Sequence, residues 1–247
     1  RWHSMHARAV VNASRFVRVV ISRSVSKKPR METIMSFRHP LLDDPRALAG
    51  FKGWSEDVYE DFFRLQRGEI GESEFREKYH RQRAILSIDM TGYTATAMQY
   101  GELQSLLRIM NAQRVVIPVL QELDAELIRC FADDIVALFH HPDMAMDAAF
   151  EIHRRIQAFN TSSLASDNPT SCCVGIGFGQ LFAIGPNLAQ GDEMNQASKL
   201  GEDIARANET LVTERAHAAV SRRDDIEFER QDQDDQLFPF YRATPRS

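Results

Sequence analysis

Two aspartates stand where predicted strands end, and they are the first residues whose placement suggests chemistry. Asp89 ends the short apolar strand 84–88, and Asp133 lies in the tight turn between the predicted strands 127–131 and 135–139. If these strands share one sheet, both carboxylates meet at one end of it. Carboxylate oxygens suit Mg²⁺ or Mn²⁺, with substrate phosphates completing the coordination shell. Each Asp alone is typical of a turn or cap, whereas the pair predicts a metal site.

The elements around the two aspartates follow a recognisable order. A helix is predicted after residue 102, because apolar residues there repeat at helical spacing, and Pro118 predicts a kink in it. Pro142 begins another helix, and residues 173–179 form a strand that contains glycines. The resulting order β-α-β-β-α-β predicts an α+β fold with a ferredoxin-like core, in which the first and third strands are central neighbours. A helix from Glu193 and strands near 210–213, 226–228 and 238–242 predict a C-terminal extension. The apolar stripe of the first helix consists of Leu103, Leu106, Leu107 and Met110, continued by Val116, Val119, Leu120 and Leu123.

Four segments, spread over roughly 160 residues, resemble in order the motifs of class III nucleotidyl cyclase catalytic domains. "DMTGYT" resembles Asp-Ile-x-Gly-Phe-Thr, and "ADDIVALF" resembles Gly-Asp-x-hydrophobic-x-Ala-x-Phe. "VGIGFGQLF" resembles a strand that usually reads Gly-Ile-His-x-Gly, with Gly177 at the histidine position. "QGDEMNQASKLGED" resembles Gly-Asp-x-Val-Asn-x-Ala-x-Arg-Leu. The resemblance implies the class III cyclase fold.

The resemblance also implies a role for each matching residue. In that family two divalent cations, Mg²⁺ or Mn²⁺, activate the ribose hydroxyl and stabilise the leaving pyrophosphate. A glycine in the turn after the first aspartate lets backbone N–H groups approach the triphosphate. The residues that match the family's positions are Asp89, Met90 and Asp133 for the metals, Gly92, Tyr93 and Thr94 for the triphosphate, Arg129 and Leu188 for the base, Asn195 for the ribose, and Lys199 for the transition state.

Three of these positions depart from the family pattern. Lys199 stands where the family has arginine; it shares a helix face with Asn195 at i, i+4 spacing, but it lacks the planar fork of a guanidinium. Leu188 stands where members that are specific for purines carry Asp, Thr or Ser. Arg129 replaces the lysine that reads the base. The specificity for the base is therefore open.

The function that the resemblance implies is the conversion of ATP to cyclic AMP and pyrophosphate at a homodimer interface. In the family one subunit supplies the aspartates and the other supplies the base-reading, Asn and cation positions. One chain that carries all of them implies a symmetric dimer with two sites. The alternatives are a cyclase-fold module of weak or no activity that binds nucleotide or regulates a partner, and a cyclase for another base.

Composition limits the other classes of function. The 247 residues are 43% hydrophobic and 26% charged, with a net charge of −5, as in a soluble globular protein. No basic stripe runs through the core region, so nucleic acid is not expected as the main partner. No apolar run is long enough to span a membrane. Cys172 and Cys173 are expected to face opposite sides of a strand, so they are poor disulfide partners, and Cys130 is expected to face the core. A reducing, cytoplasmic compartment fits best.

The sequence divides into three predicted regions. Residues 1–40 form an extension, of which residues 1–30 contain no Asp or Glu and eight Lys or Arg. That composition is typical either of an organelle-targeting peptide or of a disordered, non-native tail, and we favour the tail. Residues 41–83 form a helical arm, either a cap on the next domain or a coupling or dimerising element, with Trp54, Val58, Phe62 and Leu65 on one helix face. Residues 84–243 form the cyclase-like domain.

Overall fold

The structure is a computed structural model that describes residues 40–163, 169–184, 188–231 and 237–246, without the side chains of residues 93–96. The compact unit that carries the sheet begins at Leu42. The predicted N-terminal extension, except residue 40, lies outside the described residues.

A helical arm precedes the sheet, as predicted. It consists of α1 (Pro45–Ala49), α2 (Glu56–Gln66) and α3 (Glu72–Tyr79). The apolar stripe of α2 packs with Phe75 and Tyr79 of α3, with Phe182 of a later strand and with Ile184, which follows that strand. Asp61 is 4% exposed and accepts hydrogen bonds from Lys78 Nζ at 2.6 Å and Tyr79 Oη at 2.8 Å. The arm is therefore anchored to the sheet by an apolar cluster, and the ion pair of a buried carboxylate with an exposed lysine joins its two longer helices.

One sheet, with eight strands in the part of the chain that the structure describes, forms the centre of the compact unit that begins at Leu42. Its strands are β1 (His80–Met90), β2 (Leu127–Phe131), β3 (Asp134–Phe139), β4 (Cys172–Ala183), β5 (Ala189–Gln190), β6 (Thr210–Thr213), β7 (Ile226–Gln231) and β8 (Phe240–Pro245). The spatial order is β2-β3-β1-β4-β6-β8-β7, and β5 pairs with β4. The first and third strands are antiparallel neighbours, with Ile88 opposite Ile135. This confirms the predicted core and its C-terminal extension.

Helices cover the two faces of the sheet unequally. Helices α5 (Glu102–Glu122), α6 (Pro142–Asn160) and α8 (Glu214–Val220) pack on one face around the largest apolar cluster. Helix α7 (Asp192–Lys199) and the π-helix that follows it (Leu200–Ile204) lie on the other face, which we call the α7 face. Alternate residues of a strand point to opposite faces. Leu86 and Ile88 pack on the first face. Ser87 Oγ lies 3.5 Å from Ser198 Oγ of α7.

Two expectations about burial are changed by the structure. Helix α5 is confirmed, but only the second half of the stripe that predicted it is buried. Leu103 is 68% and Leu106 55% exposed, and the buried face of the first half carries Arg108 and Ile109 instead. The stripe residues that are buried, as predicted, are Val116, Val119 and Leu120. The expectation that Cys130 faces the core is wrong: it is exposed, because β2 is the last strand of the sheet at that edge. Helix α4 (Tyr93–Tyr100) connects β1 to α5. No described helix is long and apolar enough to cross a membrane.

Candidate active site

Asp89 lies one residue before the end of β1, between two paired strands. It is opposite Cys173 of β4, and the register with β3 ends one residue earlier at Ile88 and Ile135. Strand alternation places Asp89 on the α7 face together with Ser87. Its half-buried position results from being near the end of a central strand, where the sheet still covers the side chain.

Asp133 lies in a two-residue turn between β2 and β3, because Phe131 pairs with Asp134 across the hairpin. The other turn residue, Ala132, has a φ of 53°, a left-handed conformation that glycine adopts most easily. Gln113 Nε2 of α5 donates a hydrogen bond of 3.0 Å to Ala132 O, which holds the turn against the helix. Asp133 and Asp89 therefore lie at the same end of the sheet.

The predicted carboxylates lie close enough together for the charge of one to raise the pKa of another. Burial, followed by the negative charges of Asp133, Asp134 and Glu202, raises the pKa of Asp89 to about 7. Burial and the charge of Asp133 raise the pKa of Asp134. Burial and the charge of Asp134 also raise the pKa of Glu202. A group of carboxylates that oppose each other's ionisation is a site that a divalent cation would relieve.

The donor set fits a metal that is shared with a substrate. Among the described residues, no group of three His, Cys, Asp or Glu is arranged to hold a metal ion by itself. Asp89 and Asp133 offer carboxylate oxygens of the kind that Mg²⁺ binds when phosphates supply its remaining ligands. The binding of metal by the two aspartates stays a prediction.

The turn after β1 has the form expected for a phosphate-binding loop. Met90 is buried against Ile109 and Ala112, so only its backbone faces the turn. Thr91 N donates to Ser171 O at 3.1 Å, and Gly92 caps α4 with a φ of 75°. The backbone of Tyr93 and Thr94 forms the first turn of α4, and their side chains lie outside the described residues. A helix N-terminus presents N–H groups and a positive partial charge to an anion.

The residues predicted for the partner's half of the site face outward on α7. Asn195 is exposed, and Lys199 is partly exposed, whereas Glu193, Met194 and Ala197 form the buried side of the helix. Lys199 Nζ lies 3.0 Å from Asp203 Oδ2. The structure therefore places both side chains on one accessible surface, as the i, i+4 spacing predicts.

The two predicted base-reading residues lie in different surroundings. Burial raises the pKa values of Asp134 and Glu202, and Arg129 of β2 is close enough to these carboxylates for its positive charge to oppose the rise. Leu188 packs instead against the apolar cluster of the helical arm, and its carbonyl accepts a hydrogen bond from Ile184 N. The structure brings Arg129 to the carboxylates, and it places Leu188 with the arm.

Three charged residues at or near this site were not found from the sequence. Glu202 lies on the π-helix beside the carboxylates. Arg108 is 8% exposed, and its Nη1 would lie 3.7 Å from a Cβ atom on Gly92, so its guanidinium lies behind the phosphate turn. Glu193 is 2% exposed beneath α7. Arg108 could have been recognised from the sequence as a charged residue on the apolar side of an amphipathic helix.

A separate cavity of about 480 Å³ lies away from this chemistry. It is formed by α6, the segment 208–210 and the end of β8, with the neutral imidazole of His153 in its wall. None of the predicted site residues lines it. Burial lowers the pKa of His153 to about 4.

Comparison with solved structures establishes the fold. The adenylyl cyclase CyaB from P. aeruginosa superposes with a TM-score of 0.58 at 13% identity, covering 68% of this chain and 97% of that one. The guanylate cyclase domain of RhGC from Catenaria anguillulae, in complex with GTP, gives 0.57 at 14% identity, with coverages of 67% and 97%. The adenylate/guanylate cyclase/hydrolase from Silicibacter pomeroyi gives 0.55 at 23% identity, with coverages of 66% and 95%. No protein-family model and no curated protein sequence matches. The chain has the fold of class III nucleotidyl cyclase catalytic domains.

Proposed function

We propose that this chain is a nucleotidyl cyclase that converts ATP to cyclic AMP and pyrophosphate. The observation that supports the proposal is the convergence of Asp89 and Asp133 at one end of a cyclase-fold sheet, where burial, followed by the charge of Asp133, raises the pKa of Asp89 to about 7. Separated turn residues would not repel each other in this way. The adenine preference rests on the sequence resemblance alone.

The residues of the chain divide the work of the reaction. Asp89 and Asp133 would hold two Mg²⁺ or Mn²⁺ ions, which supply Lewis-acid activation of the ribose 3′-hydroxyl and of the leaving pyrophosphate. The turn from Met90 to Thr94 binds and orients the triphosphate with its N–H groups. Asn195 orients the ribose, and Lys199 places positive charge beside the phosphates as charge develops in the transition state.

The two halves of the site are proposed to come from two copies of the chain. Asn195 and Lys199 lie on the accessible surface of α7 rather than on its buried side. A symmetric homodimer then contains two equivalent sites. Among the solved structures of similar fold, one guanylyl cyclase domain from Blastocladiella emersonii is described as a non-canonical dimer and another as monomeric, so that comparison does not decide the assembly.

A second candidate is a cyclase-fold module that binds nucleotide with little or no turnover. The observation that favours it is the ion pair of Lys199 with Asp203, because this contact neutralises the side chain that is proposed as the catalytic cation. A third arrangement, a cyclase for another base, is favoured by the position of Leu188 in the arm cluster.

The experiment that separates these candidates uses the whole chain with Mn²⁺ and each of the four nucleoside triphosphates, with products identified by mass. Cyclic AMP as the main product supports the proposal, and another cyclic nucleotide reassigns the base. Asp133→Asn keeps the shape of the turn residue and removes its charge, so turnover should be lost while the thermal melt stays cooperative. Exposed Asp124→Asn in the α5–β2 connection is the matched control and should keep full activity. Turnover in the Asp133 variant equal to the unmodified chain would refute the metal assignment.

A further inference from the structure

The α7 face of β4 has three glycines at alternate positions, and each of them touches α7 or the π-helix. A Cβ atom on Gly175 would lie 2.0 Å from Ala197 O, and one on Gly177 would lie 2.7 Å from Glu193 O. A Cβ atom on Gly179 would lie 2.6 Å from Glu193 Cγ. These distances leave no room for a side chain, so the helix rests directly on the strand. The height of α7 above the sheet is therefore set by what lies beneath it.

Glu193 fills the space above Gly177 and Gly179. It is 2% exposed, although a glutamate is seldom buried without partners. The parallel pairing of β4 with β6 ends at Ile176 and Val212. Just beyond this point, Phe178 N donates to Glu193 Oε2 at 3.1 Å, and Thr213 Oγ1 donates to the same oxygen at 2.8 Å. One carboxylate oxygen thus joins the strands where their ladder stops.

The other carboxylate oxygen faces a cation at the surface. Arg215 Nε of α8 lies 3.6 Å from Glu193 Oε1, and the arginine side chain is 69% exposed. Glu193 therefore connects α7 to β4, to the end of β6 and to the start of α8. Removing it would leave Phe178 N–H and the Thr213 hydroxyl without an acceptor in a buried place, which costs free energy.

The same helix carries the predicted catalytic side chains on its outer surface. Helix α7 has only eight residues, and its N-cap, Gly191, makes no capping hydrogen bond with a side chain. Its position consequently depends on contacts made by its buried side. A displacement of about 1 Å at a catalytic group can lower a rate about a hundredfold.

We propose that Glu193 is a positioning residue that fixes Asn195 and Lys199 for the nucleotide bound by a second copy of the chain, an inference that rests on the proposed function. Gly177 and Glu193 act as a matched pair. In the strand that the sequence resembles, the position of Gly177 is usually histidine; here the glycine leaves the space that the glutamate fills. Glu193 touches no substrate, and its effect is transmitted through the placement of α7.

Three variants test this role. Glu193→Ala removes both acceptors and should lower kcat about tenfold to a hundredfold. The dissociation constant of 3′-deoxy-ATP with Mn²⁺ should change less than about threefold, because Asp89 and Asp133 remain in place. Glu193→Gln retains one oxygen that can accept both hydrogen bonds, so kcat should recover to within about threefold of the unmodified chain. The exposed Glu214→Ala on α8 is the matched control.

A mixing experiment separates positioning from general damage to the fold. An Asp89→Ala chain supplies an intact α7, and a Glu193→Ala chain supplies intact aspartates, so their heterodimer should regain one working site. If Glu193→Ala does not fold, Gly177→Ala carries the test, since its Cβ atom displaces α7 without removing the carboxylate. A full kcat in the Glu193→Ala or Gly177→Ala chain, or a heterodimer that stays inactive, overturns the positioning role while turnover by the unmodified chain still stands. No turnover of any triphosphate by the unmodified chain overturns the proposed function, and the positioning role falls with it.

Discussion

Lys199 is the residue at which this chain departs most from the pattern that its sequence resembles, and the structure shows how it is held. Its Nζ atom pairs with Asp203 at 3.0 Å, and the two side chains are 37% and 64% exposed. An exposed pair of this kind contributes less than about 1 kcal/mol. Binding of a nucleoside triphosphate, which has several negatively charged oxygens, can therefore displace Asp203 from Lys199 with only a small loss of free energy.

We predict that Lys199→Ala lowers kcat about tenfold to a thousandfold with a smaller effect on KM, because a cation near developing charge acts mainly in the transition state. Lys199→Arg should keep or raise kcat, since a guanidinium binds phosphate through two parallel hydrogen bonds. Asp203→Ala is the control that breaks the ion pair without removing the cation, and it should not lower kcat. Steady-state kinetics decide the matter: an unchanged kcat in Lys199→Ala makes the lysine a surface residue.

His153 makes the stability of the chain sensitive to acid. Burial lowers its pKa from 6.5 to about 4, and its Nε2 lies 3.0 Å from Thr210 Oγ1. Above pH 6.5 the imidazole is neutral in both the folded and the unfolded chain. As the pH falls below 6.5 the unfolded chain binds the proton first, so the free energy of unfolding falls by about 1.4 kcal/mol per pH unit until the folded pKa is reached.

We predict that His153→Gln removes much of this loss between pH 6.5 and 4. Urea unfolding at pH 7.5 and pH 5 measures it, with His140→Gln as the control because that side chain is 64% exposed. If the free energy of unfolding of His153→Gln falls between the two pH values as steeply as that of the unmodified chain, then another group is responsible for the acid sensitivity.

The turn of the β2–β3 hairpin holds an alanine, Ala132, in a backbone conformation that favours glycine. Ala132 has a φ of 53°, whereas the motif that the sequence resembles has glycine at this place. A left-handed conformation costs an L-residue about 1–2 kcal/mol, part of which glycine gives back through its greater freedom in the unfolded chain. Gln113 and the strand pairing on both sides hold the turn in this conformation.

Ala132→Gly is therefore predicted to raise the free energy of unfolding by about 0.5–1 kcal/mol, which corresponds to a rise in Tm of about 1–4 °C. The exposed Ala158→Gly within α6 is the control of opposite sign and should lower stability by about 0.5–1 kcal/mol. Calorimetry of both variants measures the difference. A lower Tm for Ala132→Gly would mean that the turn is not strained.

The elements were predictable from the sequence where the signal is local. The short apolar run of β1, the spacing of the β2–β3 hairpin and the stripe of α2 each lie within about a dozen residues. The face that the first half of α5 buries was not predictable, because apolar spacing indicates a helix but does not say whether Leu103 or Ile109 faces the sheet. Position 188 illustrates a second limit, since Leu188 packs against an arm more than a hundred residues earlier in the chain.

The site was predictable to the same extent. Asp89 and Asp133 could be paired from the order of the strands, because that order brings two strand ends together. Glu193 could not be found, since its partners Phe178 and Thr213 lie 15 and 20 residues away and no periodic pattern links them. Buried polar groups depend on tertiary contacts that spacing does not encode.

At the scale of the whole molecule, the proposed site needs a second copy of the chain. Asp89 lies near the end of β1 on the α7 face, whereas Asn195 is exposed on the outer side of α7. Lys199 contacts its own Asp203 rather than Asp89 or Asp133. A chain that carries both halves of a site, with one half directed outward, matches the geometry of a two-fold symmetric dimer.

Mixing two inactive variants tests this arrangement directly. An Asp89→Ala chain retains α7, and a Lys199→Ala chain retains both aspartates, so each heterodimer contains one site with every group present and one site that lacks two. Random association of equal amounts should restore about a quarter of the rate of the unmodified chain, because half of the dimers are mixed and each has one working site. Mixing Asp89→Ala with Asp133→Ala is the matched control and should restore nothing, since both variants damage the same half. Heterodimers isolated with two affinity tags but without turnover would place both halves of the site within one chain.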